Sequence, residues 1–275
     1  MKIDNNVIKE KIADAEYVVV GIGRELAGER LAGEAKVYEP LESLGIRSKA
    51  ELDEQLQDTE KALWIHRILL ADYFQKRNPA REQYAALEEM LKGKDYFIVT
   101  TNTDACIYQS SLEEEKIVAP CGDIRLFQCL DGCGGKIWQE PNYLEGAIAL
   151  LREGKLLKVL QERPFCPECN SPVSFHMRDK SCNYIEGYLP QWNCYKEWLQ
   201  HTLNRKLVLV ELGENFDQPT VFRWPFEKIA YFNQKAYFVR VNQMLHQIPE
   251  EVTRALAVKA NAAEWLTAFV QGGKM

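Results

Sequence analysis

Two closely spaced cysteine pairs carry the clearest chemistry in this sequence. Cys129 and Cys133 have three residues between them, and Cys166 and Cys169 have two. Two thiolates at such a spacing can bind one metal ion from a tight turn, and two such turns complete a tetrahedral zinc shell. A shell of four thiolates leaves no position for water, so the sequence predicts a structural rather than a catalytic zinc ion. The alternative is four free, buried cysteines.

The residues around these pairs fit the same interpretation. Gly134 and Asn170 follow the second cysteine of each pair, and both types tolerate the left-handed backbone that turns amide groups back towards sulfur. Three further cysteines lie outside the pattern and are interpreted as ordinary small apolar residues: Cys106, Cys182 and Cys194.

Two loops contain residues that suit a nucleotide. Gly21 and Gly23 follow the first apolar run, where glycines allow a tight turn and close approach of the backbone to a pyrophosphate. Taken alone, this pair fits a plain structural turn equally well. Asn102 and Asp104 follow a second apolar run, and they suit either a ligand site or a hydrogen-bonded turn.

The elements that must position these loops are short apolar runs typical of buried parallel strands. They are residues 17–20, 96–100, 207–210 and 237–241. Stretches with helical periodicity alternate with them, which predicts an α/β fold with a Rossmann-like parallel sheet and helices on both faces. Ligands bind such sheets beyond the carboxyl ends of the strands. The informative loops are those after Val20, Thr100, Ala119, Val210 and Val241.

Residues 125–185 interrupt this alternation. They contain both cysteine pairs together with several prolines and glycines, so they are predicted to form a small inserted zinc-binding module. The Rossmann-like domain then consists of residues 1–124 and 186–275, with a helical insertion at about residues 31–92.

Composition excludes several classes of protein. The chain has 275 residues, of which 46% are hydrophobic and 27% charged, with a net charge of -6, so intrinsic disorder is excluded. The acidic balance, without a basic run, argues against nucleic acid as a partner. No apolar stretch reaches the ~18 residues of a membrane span, and the N-terminus has no secretory signal. Eight cysteines are too few for a disulfide scaffold of this length, so we expect a cytoplasmic protein without a membrane partner.

The order of these features resembles the sirtuin (Sir2-like) family of NAD-dependent deacylases and ADP-ribosyltransferases. A glycine turn, the loop of Asn102 and Asp104, a four-cysteine insertion and Asn242 follow one another between about residues 15 and 242. The sequence is most similar to the bacterial class M sirtuins, several of which are protein ADP-ribosyltransferases. The segments that carry this similarity are residues 94–104, 122–123, 126–129, 211–213, 215–216 and 223–226.

The resemblance implies a reaction and a set of binding residues. Sirtuins bind NAD and stretch the bond between nicotinamide and ribose, and an acceptor then attacks the electron-poor sugar. By this resemblance, Asn102 and Asp104 would hold the nicotinamide ribose and carboxamide, in a Rossmann-like domain that binds NAD. Gly21 and Gly23 would approach the pyrophosphate, Gly213 would line the second phosphate loop, and Asn242 would meet the adenine ribose.

The sequence departs from the family pattern at three places. Cys121 precedes Gly122 where most sirtuins carry histidine and class M members often carry glutamine. Cys121 is a candidate catalytic residue if a cationic neighbour lowers its pKa from the usual value of about 8.5, and otherwise a non-basic replacement. Glu25 replaces a serine in the first loop. Glu214, Asn215 and Asp217 stand where the later loop of the family is usually glycine-rich and less acidic, so both loops bring negative charge towards the expected phosphates.

None of the four histidines falls on the catalytic position of the family. They are His66, His176, His201 and His246. The sequence therefore favours a sirtuin-like NAD-dependent transferase that modifies an unidentified acceptor protein by ADP-ribosylation, with deacylation less favoured. The alternatives are a catalytically impaired sirtuin-like binding or regulatory protein, and an NAD glycohydrolase. NAD and a structural zinc ion are the expected cofactors.

Overall fold

The computed structural model describes residues 5–131, 133, 137–178 and 187–272. Gly134 and Cys182, on which the sequence analysis made predictions, lie outside the described residues.

Strands and helices alternate along most of the chain. The strands are β1 (Tyr17–Ile22), β2 (Asp95–Thr100), β3 (Ile117–Val118), β4 (Gly122–Cys129), β5 (Ile137–Trp138), β6 (Val173–Met177), β7 (Leu207–Leu212), β8 (Tyr237–Val241) and β9 (Ala255–Val258). The α-helices are α1 (Asn5–Asp14), α2 (Gly28–Leu31), α3 (Glu34–Val37), α4 (Lys49–Leu56), α5 (Thr59–Lys76), α6 (Arg81–Leu91), α7 (Pro141–Arg152), α8 (Leu156–Gln161), α9 (Leu189–His201), α10 (Arg223–Phe232) and α11 (Ala262–Gln271).

The main sheet has six parallel strands in the order β3-β2-β1-β7-β8-β9. The four predicted strands are confirmed as β1, β2, β7 and β8, and β3 and β9 extend the sheet at its edges. The order runs outwards from β1 to β3 and then returns to place β7 on the other side of β1. Such a reversal opens a crevice at the carboxyl ends of the two central strands, here β1 and β7.

Both faces of this sheet are covered, as the continuous apolar strands predict. Val18 and Val20 of β1 lie in one core with residues of α1, α6 and α11, whereas Val19 lies in a second core with residues of α9 and α10. Alternate residues of a strand point to opposite faces, so an apolar residue is needed at every position. The predicted Rossmann-like sheet with helices on both faces is confirmed.

The strands also end in register, which places their loops at one edge. Ile22 pairs with Thr100 on one side and with Leu212 on the other, and Leu212 pairs with Val241. The main-chain N–H groups of the next residues continue this pattern, because Gly23 donates to the Leu212 oxygen at 2.8 Å. The loops that carry the candidate residues therefore start from one row.

A second sheet of three antiparallel strands, in the order β5-β4-β6, packs against α5. Trp64 of α5 is buried, with its ring centroid 5.0 Å from that of Phe175 and 5.9 Å from that of Phe127. Its indole N–H donates to the Tyr143 hydroxyl of α7 at 2.9 Å. Trp64 and Phe74 of α5 are thus core residues.

Local signals fix the ends of several helices. The Asp58 side chain accepts a hydrogen bond from the Lys61 N–H at the start of α5, and Asn261 does the same for Ala263 and Glu264 at the start of α11. Such caps satisfy N–H groups that have no partner within the helix. Among the residues that the structure describes, no helix is both long and apolar enough to cross a membrane.

Candidate functional site

A cavity of about 250 Å³ lies beyond the carboxyl ends of β1, β2 and β7. Its wall brings together Asn102 and Asp104 from the loop after β2, Cys121 from the segment after β3, and Glu214 from the loop after β7. The sequence analysis singled out all four residues, and the parallel sheet places them around one space.

Asp104 joins the loop after β2 to the start of α2. Its carboxylate is buried, and its two oxygens accept hydrogen bonds from the Gly28 N–H at 2.7 Å and the Cys106 N–H at 2.8 Å. Burial raises the pKa of this carboxyl, and the two backbone hydrogen bonds act in the opposite direction. Asp104 therefore fixes the shape of the cavity wall as well as its charge.

Asn102 holds a polar group without a partner. Its N–H donates to the Thr100 hydroxyl at 3.0 Å, whereas its side-chain Nδ2 is buried and has no hydrogen-bond partner among the described residues. The Tyr84 hydroxyl lies near this amide, and the interaction between them acts against the burial that raises the pKa of the phenol, but no hydrogen bond of regular geometry joins the two groups. A buried donor left unpaired costs about 1–3 kcal/mol, so this atom is suited to a ligand oxygen.

Cys121 is a neutral thiol in this environment. Burial raises its pKa to about 11, although the nearby Arg178 acts in the opposite direction. The Arg178 N–H also donates to the Cys121 carbonyl oxygen at 2.7 Å. The cationic neighbour that an activated thiolate needs is thus present, but the desolvation of the sulfur outweighs it.

Glu214, in the loop after β7, has a chemistry that differs from the sequence expectation. The residue is buried, and its Oε2 accepts a hydrogen bond from the Thr101 hydroxyl at 2.6 Å. Burial raises the pKa of its carboxyl to about 7, against the hydrogen bonds from Thr101 and the Asn215 backbone. Close to neutral pH, Glu214 is therefore only partly charged rather than a fixed negative charge.

Gly23 and Gly213 allow the loops after β1 and β7 to touch each other. A Cβ on Gly23 would lie 2.4 Å from the Glu214 Cα, and a Cβ on Gly213 would lie 2.4 Å from the Glu25 Cβ. Gly213 also has a φ of +67°, which favours glycine. Gly21 lies inside β1, where a Cβ would meet the Phe222 ring at 2.3 Å. The turn thus begins two residues later than the sequence predicted.

Glu25 points away from the cavity. Its two carboxylate oxygens accept hydrogen bonds from the Gln243 N–H at 3.0 Å and the Ala262 N–H at 2.7 Å. Ala262 is the first residue of α11, and a carboxylate at a helix N-terminus is favourable. The repulsion expected between Glu25 and a phosphate is therefore removed by this orientation.

A buried ion network at the end of β7 contacts the loop of Glu214, and the sequence analysis did not find it. Glu211 accepts hydrogen bonds from Arg223 at 2.5 Å and from two nitrogens of Arg240, each at 2.8 Å. Arg240 also contacts Glu227 at 2.8 Å. Arg223 donates in addition to the carbonyl oxygen of Glu214 at 3.4 Å. The network joins the ends of β7, β8 and α10.

Asn242 also serves this loop. Its Nδ2 donates to the Glu214 carbonyl oxygen at 2.6 Å, and its Oδ1 accepts from the Met244 and Leu245 N–H groups at 3.0 and 2.7 Å. Neither Asn242 nor Gly213 belongs to the cavity wall. Their assignment to the adenine ribose and to the second phosphate loop remains a prediction.

The four cysteines form the expected cluster beside the three-stranded sheet, where Cys129 is the last residue of β4. All four sulfur atoms lie within 4.8 Å of one another, with 3.5 Å between Cys129 and Cys169 and 3.3 Å between Cys133 and Cys166. Zinc–sulfur bonds of about 2.3 Å in a tetrahedron place sulfur atoms roughly 3.8 Å apart, so the donors fit a structural zinc ion. Asn170 has a φ of +58°, which confirms its predicted left-handed backbone.

Comparison with solved structures identifies the fold. A Sir2 homologue in complex with NAD matches 98% of this chain and 94% of its own, with a TM-score of 0.60 and 13% identity. A Sir2 protein bound to a propionylated peptide matches 98% of each chain, with a TM-score of 0.56 and 12% identity. The chain has the Sir2 fold. This confirms the resemblance to sirtuins at the level of the fold.

Sequence comparison finds two relatives of this Sir2-like chain. A protein ADP-ribosyltransferase of Staphylococcus aureus is 21% identical over 256 residues, which are 90% of this chain and 80% of the relative. A probable bifunctional ADP-ribose hydrolase/ADP-ribosyltransferase of Fusarium oxysporum f. sp. cubense is 29% identical over 146 residues, or 50% of this chain and 24% of that protein. No protein-family model matches the chain.

The Sir2-like chain has no histidine in its cavity. All four histidines lie within the described residues, and none of them lines the wall. His66 hydrogen-bonds to Tyr38 at 2.7 Å, and burial lowers its pKa to about 4. His176 contacts the Gln128 side chain at 2.8 Å. The acidic groups and the thiol that line the cavity are Glu29, Asp104, Cys121, Glu214 and Asp217.

Proposed function

We propose that this Sir2-like chain is an NAD-consuming transferase that attaches ADP-ribose to a protein and releases nicotinamide. The fold of the Sir2 homologues and the relatives called ADP-ribosyltransferases support this proposal. The single observation that favours ADP-ribose transfer over deacylation is the neutral thiol of Cys121, in a cavity that no histidine lines. The resemblance to sirtuins assigns a base to that position in deacylation, and a protonated thiol cannot supply it.

NAD would supply an activated glycosidic bond with nicotinamide as the leaving group. Asn102 Nδ2, a buried donor without a partner, is suited to hold a ribose oxygen in one orientation. Asp104 places a carboxylate at the same wall, where it can stabilise positive charge that develops on the sugar. Both residues lie in a loop that is fixed by the hydrogen bonds of Asp104 to Gly28 and Cys106.

The arginines of the cavity wall are suited to the pyrophosphate. Arg24 is exposed and forms an ion pair with Asp217 at 3.0 Å, and Arg178 lines the wall beside Cys121. An exposed ion pair contributes only about 0–1 kcal/mol, so Arg24 can exchange its carboxylate for a phosphate at small cost. Guanidinium groups also match phosphate oxygens geometrically. These cations offset the negative charge that Glu214 and Asp217 bring to the cavity wall.

The acceptor is proposed to be a protein that is yet to be identified. The test uses NAD with an isotopic label in the adenosine part, incubated with the purified chain and an extract of host cells. Nicotinamide release is measured by chromatography, and label on protein is measured by gel separation. Release together with labelled protein is the expected result.

Other outcomes identify the alternatives. Nicotinamide release without labelled protein indicates NAD hydrolysis, with water as the acceptor. Binding of NAD without release indicates a binding or regulatory protein. The matched control is Asn102→Ala, which removes the unpaired amide and leaves the zinc cluster and the Asp104 hydrogen bonds in place.

A further inference from the structure

Glu214 is the cavity residue whose placement the proposed function does not explain. Its carboxyl is buried at the wall of the cavity and held by the Thr101 hydroxyl at 2.6 Å. Thr101 directly precedes Asn102, so the carboxyl lies next to the residues proposed to hold the ribose. The same oxygen, Glu214 Oε2, also lies against the first loop, where a Cβ on Gly23 would be 2.7 Å from it. The carboxyl therefore lies between the first loop and the loop of Asn102.

The other carboxyls of the wall are less suited to move a proton. Both oxygens of Asp104 accept backbone hydrogen bonds, which holds it as a structural carboxylate. Asp217 is exposed and pairs with Arg24. Glu29 lies on α2, beside Asp104. Glu214 instead accepts a hydrogen bond from Thr101, the residue before Asn102.

We propose that Glu214 is the general base of the transfer reaction and takes the proton of a protein hydroxyl that attacks the sugar. This inference rests on the proposed function. A carboxylate acceptor attacks without losing a proton and would need no base. A buried carboxyl next to the loop proposed to hold the ribose, in a cavity that no histidine lines, supplies what a hydroxyl acceptor needs.

The step is balanced without a further reactant. The bond between the ribose C1′ and the nicotinamide nitrogen breaks, and its electron pair stays on nicotinamide, which leaves as a neutral molecule. The hydroxyl oxygen forms a new bond to C1′, and its proton passes to the Glu214 carboxylate. Glu214 then returns the proton to solvent, and no group is oxidised or reduced.

The charges around Glu214 support this role. Burial raises the pKa of its carboxyl to about 7, where a base is effective at neutral pH. The groups that act on it are Glu211, which raises the pKa, and Arg223, Thr101 and the Asn215 backbone, which lower it. The other charged or titratable residues of the same wall are Arg24, Glu29, Asp104, Cys121, Arg178 and Asp217.

The test compares Glu214→Gln with the wild type in nicotinamide release and protein labelling from pH 5.5 to 9. Glutamine keeps the shape and can still accept from Thr101, but it cannot take a proton. We expect kcat to fall by about 10²–10⁴-fold, as for loss of a general base, and the decrease of the wild-type rate on the acid side to disappear. Glu10→Gln, which removes an exposed carboxylate of α1 outside the cavity wall, serves as the control and keeps the wild-type rate and pH profile.

A second readout separates catalysis from folding and binding. The affinity for ADP-ribose, measured by calorimetry, should be equal or higher in Glu214→Gln, because a negative charge next to the pyrophosphate loop is removed. Glu214→Asp, which retains a carboxylate, should restore part of kcat together with the acid-side decrease. The label on the acceptor should resist neutral hydroxylamine, which cleaves esters of carboxylates but not O-glycosides of hydroxyls.

Three results would overturn the assignment. The first is a Glu214→Gln rate within threefold of wild type with the same pH profile. The second is a loss of rate matched by an equal loss of ADP-ribose affinity, which indicates a structural role. The third is a label that hydroxylamine removes. If wild type itself releases no nicotinamide at any pH, the proposed function fails, and this inference fails with it.

Discussion

Glu211→Gln is expected to destabilise the protein and to disturb the cavity through the loop of Glu214. Glu211 is fully buried and faces two arginines, whose side chains are 4% and 1% exposed for Arg223 and Arg240 respectively. The substitution removes the negative charge but leaves both guanidinium groups in place. Glu227, which is partly exposed, then still pairs with Arg240.

The size of the effect follows from what remains buried. Removal of one partner of a buried ion pair costs about 3–5 kcal/mol, because the opposite charge is left without compensation. For a chain of this size, each kcal/mol lowers the melting temperature by about 2–4 °C, so the expected decrease is roughly 6–20 °C. Arg223 also holds the carbonyl oxygens of Glu214 and Leu245, so we expect weaker binding of NAD as well.

Urea unfolding at pH 7, followed by tryptophan fluorescence, measures the free energy of unfolding in both proteins. The matched control is Glu227→Gln, which removes one partly exposed contact of Arg240 and should cost about 1 kcal/mol or less. A loss below 1 kcal/mol in Glu211→Gln, or a larger loss in the control, would refute the reasoning about this network.

Three further predictions concern the zinc cluster, the cavity and pH. Cys166→Ser should lose zinc and thermal stability before any change in the cavity, since structural zinc contributes folding energy directly; a folded, stable, metal-free variant measured by elemental analysis and calorimetry would count against the cluster. Asn102→Ala should abolish nicotinamide release while zinc content and melting temperature stay at wild-type values, and equal release would remove Asn102 from the site. Burial raises the pKa of Glu214 from 4.5 to about 7, so the folded state binds a proton that the unfolded state releases, and stability falls as the pH rises through this interval. Glu214→Gln should remove this pH dependence. Between pH 5 and 8, its free energy of unfolding, measured by urea titration at each pH, should gain at most on the order of 3 kcal/mol relative to wild type. Parallel curves of stability against pH for the two proteins would show that Glu214 ionises normally.

The sequence was most informative where burial is complete. β1, β2, β7 and β8 are apolar at nearly every position because both faces of the sheet are covered, and this pattern is visible without a structure. β3 has two residues and β9 contains two alanines at the sheet edge, so neither carries a comparable signal. The four-cysteine cluster was predictable because its spacing alone determines the chemistry.

Side-chain roles in the cavity were less predictable, because they depend on distant partners and on burial. Glu25 contacts the Gln243 and Ala262 N–H groups, which lie more than 200 residues away along the chain, so its outward orientation left no local signal. The contact of Gly21 with Phe222, about 200 residues away along the chain, likewise left no local signal. The raised pKa values of Cys121 and Glu214 follow from desolvation, which a sequence does not show.

The most direct test of an NAD-consuming Sir2-like protein is a calorimetric titration of the purified chain with NAD, followed by analysis of the cell contents for nicotinamide. We expect heat of binding together with nicotinamide in the wild-type sample, and no nicotinamide with Asn102→Ala. No heat of binding and no nicotinamide from the folded, zinc-loaded wild type would contradict the account, and the Sir2 fold would then serve another purpose in this chain.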